Sequence, residues 1–322
     1  MNGLKKDGVI VCVGDITPDI LIPYGETLGA ISGLCDGKVT TSNPVLRPGG
    51  AVANTVAALG KLGMRPYMVS GVGNDEYGDF LTGHLKACGV NTEYVFRQKE
   101  RISLVLAVLD SAGERVLYLY NGPGAKLPAL EAQNMPYTMV SKIKWVHSNG
   151  FANDVTVDFM ERCALEGAVV SFDLNLRCET FGLDGKRKAR ILRAVKTSNV
   201  LFGSGTEEFA PLTGINDLCG AASSLEAPGR IVVARDGSNP VQLFANGEYT
   251  KIPVLPVRVV NKVGGGDAFN GGFIAAYSMG LTACEAVKWG NCCAASAIGS
   301  NEPHCIPSKE VVEETVLNYP VA

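Results

Sequence analysis

Short apolar and β-branched runs alternate with helical patterns along most of this chain. The first run, Val9–Val13, is followed by an apolar helical pattern after Gly50. Such alternation predicts an α/β fold: a mostly parallel central sheet with helices on both faces. Sheets of this kind bind ligands beyond the carboxyl ends of their strands, where Asp19, Asn175 and Asp267 fall. The other predicted strands are 67–70, 143–147, 168–172, 200–202 and 231–233, and further helices lie near 76–88 and 155–165.

Length and charge limit the possible partners. The 322 residues, 46% of them hydrophobic, are enough for a single large α/β domain spanning 1–322. With a net charge of -3 and no long basic run, nucleic acid and anionic membranes are not expected as partners. No apolar stretch approaches the roughly 20 residues of a membrane span, and the first residues lack a signal-peptide pattern. We therefore expect a cytoplasmic protein.

The run Gly264-Gly265-Gly266-Asp267 is the strongest indication of chemistry. Successive glycines at the start of a helix let backbone amides converge on an anion, and the helix dipole adds positive charge there. A carboxylate beside a bound polyphosphate is unfavourable unless it takes a proton from an attacking hydroxyl, so Asp267 is a candidate general base. The alternative is a glycine-rich turn with Asp267 as an ordinary N-cap.

A second glycine pair, Gly49-Gly50, precedes the first predicted helix. Here a ligand can approach the backbone closely, and Asn54, one turn into the helix, can offer its amide to a hydroxyl. Asp19 upstream is a candidate acceptor for another hydroxyl. Each of these residues taken singly is also typical of a turn or a cap.

Two extended stretches interrupt the alternation. Residues 20–46 and 102–120 lack helical patterns, and the second alternates through Val116, Tyr118 and Tyr120. We interpret them as a small β-sheet lid built from about 20–48 and 100–122. The alternative is an ordinary hairpin packed on the main sheet.

Cysteines and histidines give little indication of a metal site. The ten cysteines show no Cys-x-x-Cys spacing and are interpreted as reduced core thiols. The three histidines, His84, His147 and His304, lie far apart in the sequence. We assign them no chemistry.

Six segments resemble, in chain order, the ribokinase-like carbohydrate kinase family, also called the PfkB family. The final signature, which contains the Gly-Gly-Gly-Asp run, is the most specific of them, and the resemblance spans nearly the whole chain. The segments are 9–19, 49–54, 71–78, 122–125, 173–177 and 264–273. Neither a Walker A sequence nor a Gly-x-Gly-x-x-Gly fingerprint is present.

The resemblance implies a ribokinase-like fold and an ATP-dependent sugar kinase that uses Mg²⁺. It also implies a homodimer formed through the lid. In this interpretation Asp267 is the base, and the amides of Gly264, Gly265 and Gly266 stabilise the transferring phosphoryl group. Substrate-binding residues would be Asp19, Gly49, Gly50, Asn54, Asn175 and Arg177; nucleotide-binding residues would be Gly205, Glu208, Lys262 and Asn270, with Glu208 also near the metal.

Three positions depart from the family pattern. Asn261 and Lys262 replace an acid and a hydroxyl, so the resemblance does not extend to the monovalent-cation site. Gly205 stands where an Asn linked to magnesium and phosphate is usual. Lys262 either supplies a fixed charge to the loop or points into solvent. These changes also allow a non-catalytic, sugar-sensing relative of the same fold.

The substrate is only loosely defined by sequence. Relatives that act on acidic keto-sugars tend to carry an Arg near the end of the second lid strand, where this chain has Asn121. A neutral sugar such as fructose or ribose is therefore favoured. A nucleoside and 2-keto-3-deoxygluconate remain as alternatives.

Overall fold

A nine-stranded sheet forms the centre of the computed structural model, which describes residues 7–23, 43–109, 115–120, 125–126, 130–302 and 304–320. Strands are numbered in chain order through the whole molecule. The central sheet contains β1 (Val9–Val13), β4 (Tyr67–Gly73), β5 (Asn91–Gln98), β10 (Ile143–Asn149), β11 (Val169–Asp173), β12 (Val200–Ser204), β13 (Ile231–Asp236), β14 (Asn239–Ala245) and β15 (Glu248–Ile252). Their order is β15-β14-β13-β12-β11-β10-β1-β4-β5. All neighbours from β13 to β5 pair in parallel, whereas β14 and β15 pair antiparallel at one edge.

Helices cover both faces of this sheet and bury two apolar cores. The helices are α1 (Ala51–Lys61), α2 (Glu76–Ala87), α3 (Asp154–Leu165), α4 (Cys178–Phe181), α5 (Gly185–Thr197), α6 (Gly205–Thr213), α7 (Leu218–Ser223), α8 (Gly265–Ser278), α9 (Ala283–Ile298) and α10 (Lys309–Leu317), with 3-10 turns at Ala132–Asn134 and Tyr137–Lys142. One core is formed with α1, α2, α8, α9 and α10, and the other with α3, α5, α6 and α7. The predicted α/β fold with helices on both faces is confirmed.

A smaller sheet lies apart from the central one. It contains β2 (Thr17–Pro23), β3 (Val45–Gly49), β7 (Leu104–Leu109) and β8 (Arg115–Tyr120), in the order β3-β2-β7-β8. The hairpin of β7 and β8 thus joins β2 and not the central sheet, and a further pair is formed by β6 (Arg101–Ile102) and β9 (Ala125–Lys126). Both predicted extended stretches therefore supply a second small sheet, although residues 24–42 and 110–114 within them lie outside the described residues.

The parallel strands bring polar side chains to one edge of the central sheet. Asp15 follows β1, Asn149 and Asp173 end β10 and β11, and Ser204 ends β12. Because the carboxyl ends of parallel strands share an edge, these residues lie on the same side of the sheet as the amino ends of the helices that follow. None of the described helices is both long and apolar enough to cross a bilayer.

Candidate active site

The amino-terminal turns of α1 and α8 meet at one point and are joined by hydrogen bonds. The Asn54 side-chain amide donates to Asp267 Oδ2 at 2.8 Å. The Thr55 hydroxyl donates to the backbone carbonyl of Asp267 at 3.2 Å. The two glycine elements, more than two hundred residues apart in sequence, therefore lie next to each other.

The start of α1 is held against the end of β1 by a carboxylate that the sequence analysis did not assign. Asp15 Oδ2 accepts from the backbone amide of Ala51 at 2.6 Å, and Oδ1 accepts from the Asn149 side chain at 2.8 Å. Gly50 precedes the helix with a φ of 97°, and a Cβ there would lie 2.6 Å from Ile16 Cα. Only glycine fits this left-handed position next to the backbone.

The start of α8 has the geometry of an anion site. Gly264 is the N-cap, with a φ of 78°, and Gly265, Gly266 and Asp267 form the first turn. The amides of a first turn have no carbonyl partner inside the helix, so they point to the ligand side together with the positive end of the helix dipole. Asp267 is the third helical residue, and the alternative that made it an ordinary N-cap is therefore wrong.

A buried ion pair lies directly beneath this turn. Arg235 Nη2 donates to Asp173 Oδ2 at 3.0 Å, and the two side chains are only 10% and 7% exposed. Arg235 Nη1 also donates to the backbone carbonyl of Gly266 and, at 2.9 Å, to Asn270 Oδ1, while the Asn270 amide donates to the same Asp173 oxygen. The pair thus ties α8 to the ends of β11 and β13.

This network corrects the role expected for Asn270. Its residue is 1% exposed, and both ends of its amide are used inside the protein. A nucleotide therefore cannot reach it, and Asn270 supports the Arg235–Asp173 pair instead.

Asp19 and Gly49 lie together on one wall of an open cleft. Thr17 donates to Asp19 Oδ1 at 2.8 Å, and a Cβ on Gly49 would lie 2.2 Å from the Asp19 carboxylate. Asn54 and Gly264 line the same cleft. Three of the six predicted substrate-binding residues, Asp19, Gly49 and Asn54, thus lie together beside the start of α8, whereas Gly50, Asn175 and Arg177 are not among the residues that line the cleft.

Arg47 is a further cleft residue that sequence reasoning missed. It lies on β3 in register with Asp19 on β2, and it lines the cleft. Its Nε atom is buried and has no hydrogen-bond partner among the described residues. A charged donor without a partner in a cleft can serve an oxygen of a ligand.

Burial raises the pKa of two carboxyl groups, that of Asp19 in the cleft and that of Asp267 beside it. Burial raises the pKa of Asp267 to about 7, a shift that the Asn54 hydrogen bond opposes and the charges on Asp173 and Asp15 reinforce. Burial also raises the pKa of Asp19 to about 6. Asp267 is thus a carboxylate with the proton affinity that a general base needs at physiological pH.

Asn175 and Arg177 lie at the end of β11 in left-handed backbone conformations, with φ of 32° and 47°. Asn175 is buried and its Oδ1 accepts from Arg177 Nε at 3.0 Å. Arg177 itself is exposed and lies at the protein surface just beyond the end of β11.

Glu208 and Asp173 each keep one carboxylate oxygen free of hydrogen bonds within the described residues. Glu208 Oε2 accepts from the Ser204 amide at 2.8 Å, and Asp173 Oδ1 is buried without a partner. Burial, and next the charge on Asp173, raise the pKa of Glu208. Such oxygens are the ligands that Mg²⁺ prefers. Gly205, at the start of α6 with a φ of 67°, adds no side chain to the space near them.

The atypical loop before α8 is ordered by Asn261. Its Oδ1 accepts from the Val263 amide at 3.0 Å. Lys262 is exposed. This agrees with the interpretation in which the Lys262 side chain points into solvent.

Two of the histidines lie behind Asn54. His304 Nε2 is 2.7 Å from Asn54 Oδ1, His304 Nδ1 is 2.7 Å from His84 Nε2, and Cys88 Sγ is 3.4 Å from the same His84 nitrogen. The sequence analysis assigned these histidines no chemistry. The four-residue spacing of His84 and Cys88, which places both on one helix face, was the available signal.

Comparison with known proteins decides the family. The model of the pfkB family carbohydrate kinases matches residues 10–308. The chain belongs to this family. It is accordingly a phosphotransferase of the carbohydrate kinase type.

Individual relatives agree with this assignment. A fructokinase of Vibrio alginolyticus is 29% identical over 267 residues, covering 78% of this chain and 85% of the relative. Fructokinase-2 of Oryza sativa subsp. japonica is 26% identical over 312 residues and covers 92% of each chain. The structure of a fructokinase from Vibrio cholerae O395 bound to fructose, ADP and calcium shares the fold, with a TM-score of 0.77 and 23% identity over 97% of this chain and all of that one.

We predict that Arg235→Met destabilises the protein by about 3 to 5 kcal/mol, because it leaves the Asp173 charge buried without its partner. Urea unfolding monitored by tryptophan fluorescence measures this change. The matched control is Asp79→Asn, which breaks the exposed pair with Arg97 and should cost less than about 1 kcal/mol. Equal effects of the two variants would show that the buried pair does not support α8.

Proposed function

We propose that this protein transfers the γ-phosphoryl group of ATP to a hydroxyl of a small sugar, with Asp267 as the general base. The observation that carries the proposal is the position of Asp267 in the first turn of α8, bonded to Asn54 beside the cleft. A carboxylate that is hydrogen-bonded to a cleft residue and lies at the amino-terminal end of a helix can serve both substrates at once.

In the proposed reaction the sugar lies in the cleft with its hydroxyls on Asp19, Asn54 and the Gly49-Gly50 backbone. The Asp267 carboxylate removes the proton of the acceptor hydroxyl as its oxygen attacks the γ-phosphorus. The bond between that phosphorus and the bridging oxygen of ADP breaks, and ADP leaves with the electron pair. The raised pKa of Asp267 matches this role, because a stronger base takes the proton more readily.

Charge on the transferring group is met by the amides at the start of α8. The amides of Gly265 and Gly266 follow the N-cap Gly264 and converge on the space before the helix, where they stabilise the equatorial oxygens. Mg²⁺, held near Glu208 and Asp173, would neutralise the phosphate oxygens of ATP when bound. In this proposal Arg235 does not contact the phosphate. It keeps the turn in place by donating a hydrogen bond to the Gly266 carbonyl.

A neutral sugar of the fructose or ribose type is the proposed substrate. The two sequence relatives described above are fructokinases, which supports this choice. One observation favours a second candidate, an acidic keto-sugar such as 2-keto-3-deoxygluconate: Arg47 lines the cleft, its buried Nε has no hydrogen-bond partner among the described residues, and its guanidinium would suit a carboxylate. The other possibilities are a nucleoside substrate and a sugar-sensing protein without turnover.

A homodimer through the small sheet is also proposed. Its strand β8 exposes Val116, Tyr118 and Tyr120, and β3 exposes Val45 and Leu46. Apolar side chains in this density on one small sheet are typical of a protein interface. A second copy of the chain is the partner that the family resemblance implies.

We expect Asp267→Asn to lower kcat by about 10² to 10⁴-fold while leaving sugar affinity far less affected, because the amide keeps the shape and loses the base. Coupled assay of ADP release and calorimetric titration with sugar measure the two quantities. The control is Asp236→Asn on the exposed end of β13, which should leave turnover unchanged. If Asp267→Asn retains most of the wild-type turnover when chemistry limits the rate, Asp267 is not the base.

A substrate panel separates the candidates. We predict turnover with fructose or ribose, and an effect of Arg47→Met on kcat/KM below about tenfold for the neutral sugar. For an acidic keto-sugar the same substitution should cost about 10- to 100-fold, the worth of a hydrogen bond to a charged group. Turnover with a nucleoside alone would reject both sugar candidates, and tight sugar binding without turnover would support a sensor.

For the dimer, we expect light scattering to give the mass of two chains for the wild type and of one chain for Tyr118→Asp. Tyr118 is 56% exposed, so the charge should not disturb the monomer fold. Leu165→Asp, at an 87% exposed residue of α3, is the matched control and should leave the mass unchanged. A wild-type protein that stays monomeric at high concentration contradicts the proposal.

A further inference from the structure

Three side chains behind the cleft converge on one point. His84 lies on α2, Cys88 caps the same helix one turn later, and His304 comes from the segment between α9 and α10. Their ligand atoms, two imidazole nitrogens and one sulfur, all lie within 4.8 Å of one another. Such convergence of soft and borderline donors is typical of a site for a transition-metal ion.

Of the two ligand separations given by the hydrogen bonds, one matches a tetrahedral zinc site and the other is shorter. Bonds of about 2.0 to 2.1 Å to nitrogen and 2.3 Å to sulfur place neighbouring ligands about 3.3 to 3.6 Å apart. His84 Nε2 is 3.4 Å from Cys88 Sγ and 2.7 Å from His304 Nδ1. A small separation of the two rings would admit the ion.

Burial disfavours the charged form of both imidazoles. Burial lowers the pKa of His304 to about 3, helped by His84 and the Lys61 charge, and burial with Lys61 also lowers the pKa of His84. Burial raises the pKa of the Cys88 thiol. The positive charge of nearby Lys61 disfavours the binding of a metal cation. Because Lys61 is exposed on α1, water screens this charge.

The hydrogen bonds fix which nitrogen of His304 faces the cluster. Asn54 uses its amide NH₂ group to donate to Asp267, so its Oδ1 must accept, and His304 Nε2 carries the proton. His304 Nδ1 then has its lone pair directed toward His84. A second nitrogen that donates to a neighbouring oxygen is the usual support of a metal-binding histidine.

We propose that His84, Cys88 and His304 form a binding site for one Zn²⁺-class ion, distinct from the site for the Mg²⁺ of the reaction. On binding, the Cys88 thiol loses its proton to solvent and its sulfur bonds the metal, while the proton on His84 Nε2 moves to Nδ1 of the same ring. His304 binds through Nδ1 and keeps its Nε2 proton on Asn54. Water completes the coordination, since three protein ligands leave a fourth position open.

Metal at this site would hold the Asn54 side chain in the orientation that donates to Asp267. The bound metal would fix the His304 ring, and His304 Nε2 would hold Asn54 through its hydrogen bond to Asn54 Oδ1. This coupling to the cleft rests on the proposed function. The binding of the ion does not, because it needs neither sugar nor ATP.

The test is binding of Zn²⁺ and Co²⁺ to the chelator-treated, reduced full-length protein. We expect about one ion per chain by calorimetry, release of about one proton seen as a dependence on buffer ionisation enthalpy, and a thiolate-to-cobalt charge-transfer band. Mg²⁺ should not compete, since it prefers oxygen ligands. Failure of the wild type to bind Zn²⁺ overturns the proposal whether or not the protein phosphorylates a sugar.

Variants assign the ligands. Cys88→Ala should weaken Zn²⁺ binding by at least about tenfold and remove the cobalt charge-transfer band, and His84→Gln, at a half-buried position, should weaken binding similarly. The matched control is Cys284→Ala, at an exposed free thiol, which should change neither readout. Unchanged binding in both Cys88→Ala and His84→Gln, or loss of the band in Cys284→Ala, would place the ion elsewhere and contradict the proposal.

Discussion

Hydrogen bonds from the Asn54 amide and the Thr55 hydroxyl to Asp267 join the two halves of the candidate site. These bonds hold the first turn of α1, which we propose to face the sugar, against the first turn of α8, which we propose to face the phosphate. Each helix is separately tied to the sheet edge, α1 by Asp15 and α8 by Arg235. The position of Asp267, the proposed base, therefore depends on charged contacts that are buried beneath the two helix ends, because the glycine turns alone have no side chains to hold them in place.

The same burial that fixes these groups also sets their proton affinities. Three carboxyl groups, Asp19, Glu208 and Asp267, have a raised pKa, and burial is the largest cause for each. Folding thus places acids where their charged form is unfavourable until a cation, a donor or a proton reaches them. Burial of these acids raises their proton affinity but costs free energy of folding. The Arg235–Asp173 pair offsets that cost beneath the start of α8. This arrangement is typical of catalytic sites.

Local signals made the fold and the centre of the site predictable. Alternating patterns located the strands and helices, and the glycine pairs marked Gly50 and Gly264, whose positive φ angles other residues adopt rarely. The contacts that hold these helix ends in place were not predictable, because they join residues that are distant in sequence. Arg235 donates to Asp173, 62 residues away, and Asp15 accepts from the Ala51 amide, 36 residues away. Asn270 was assigned to the nucleotide because it belongs to the signature, but the helix turns its side chain inward. Likewise, His304 meets His84 across 220 residues, which no spacing rule anticipates.

The most direct test of the account is the pH dependence of the single-turnover rate of phosphoryl transfer, measured by rapid quench at saturating sugar and ATP. Because the base is active only when deprotonated, the rate should fall about tenfold per pH unit below the pKa of Asp267, which lies at about 7 in the free protein, and should level off above it. The same profile recorded with Asp267→Asn separates this group from Asp19 and Glu208, which also titrate in the region. The account predicts that the acidic limb is lost in the variant; a wild-type rate that does not change with pH, or an identical limb in Asp267→Asn, would contradict it.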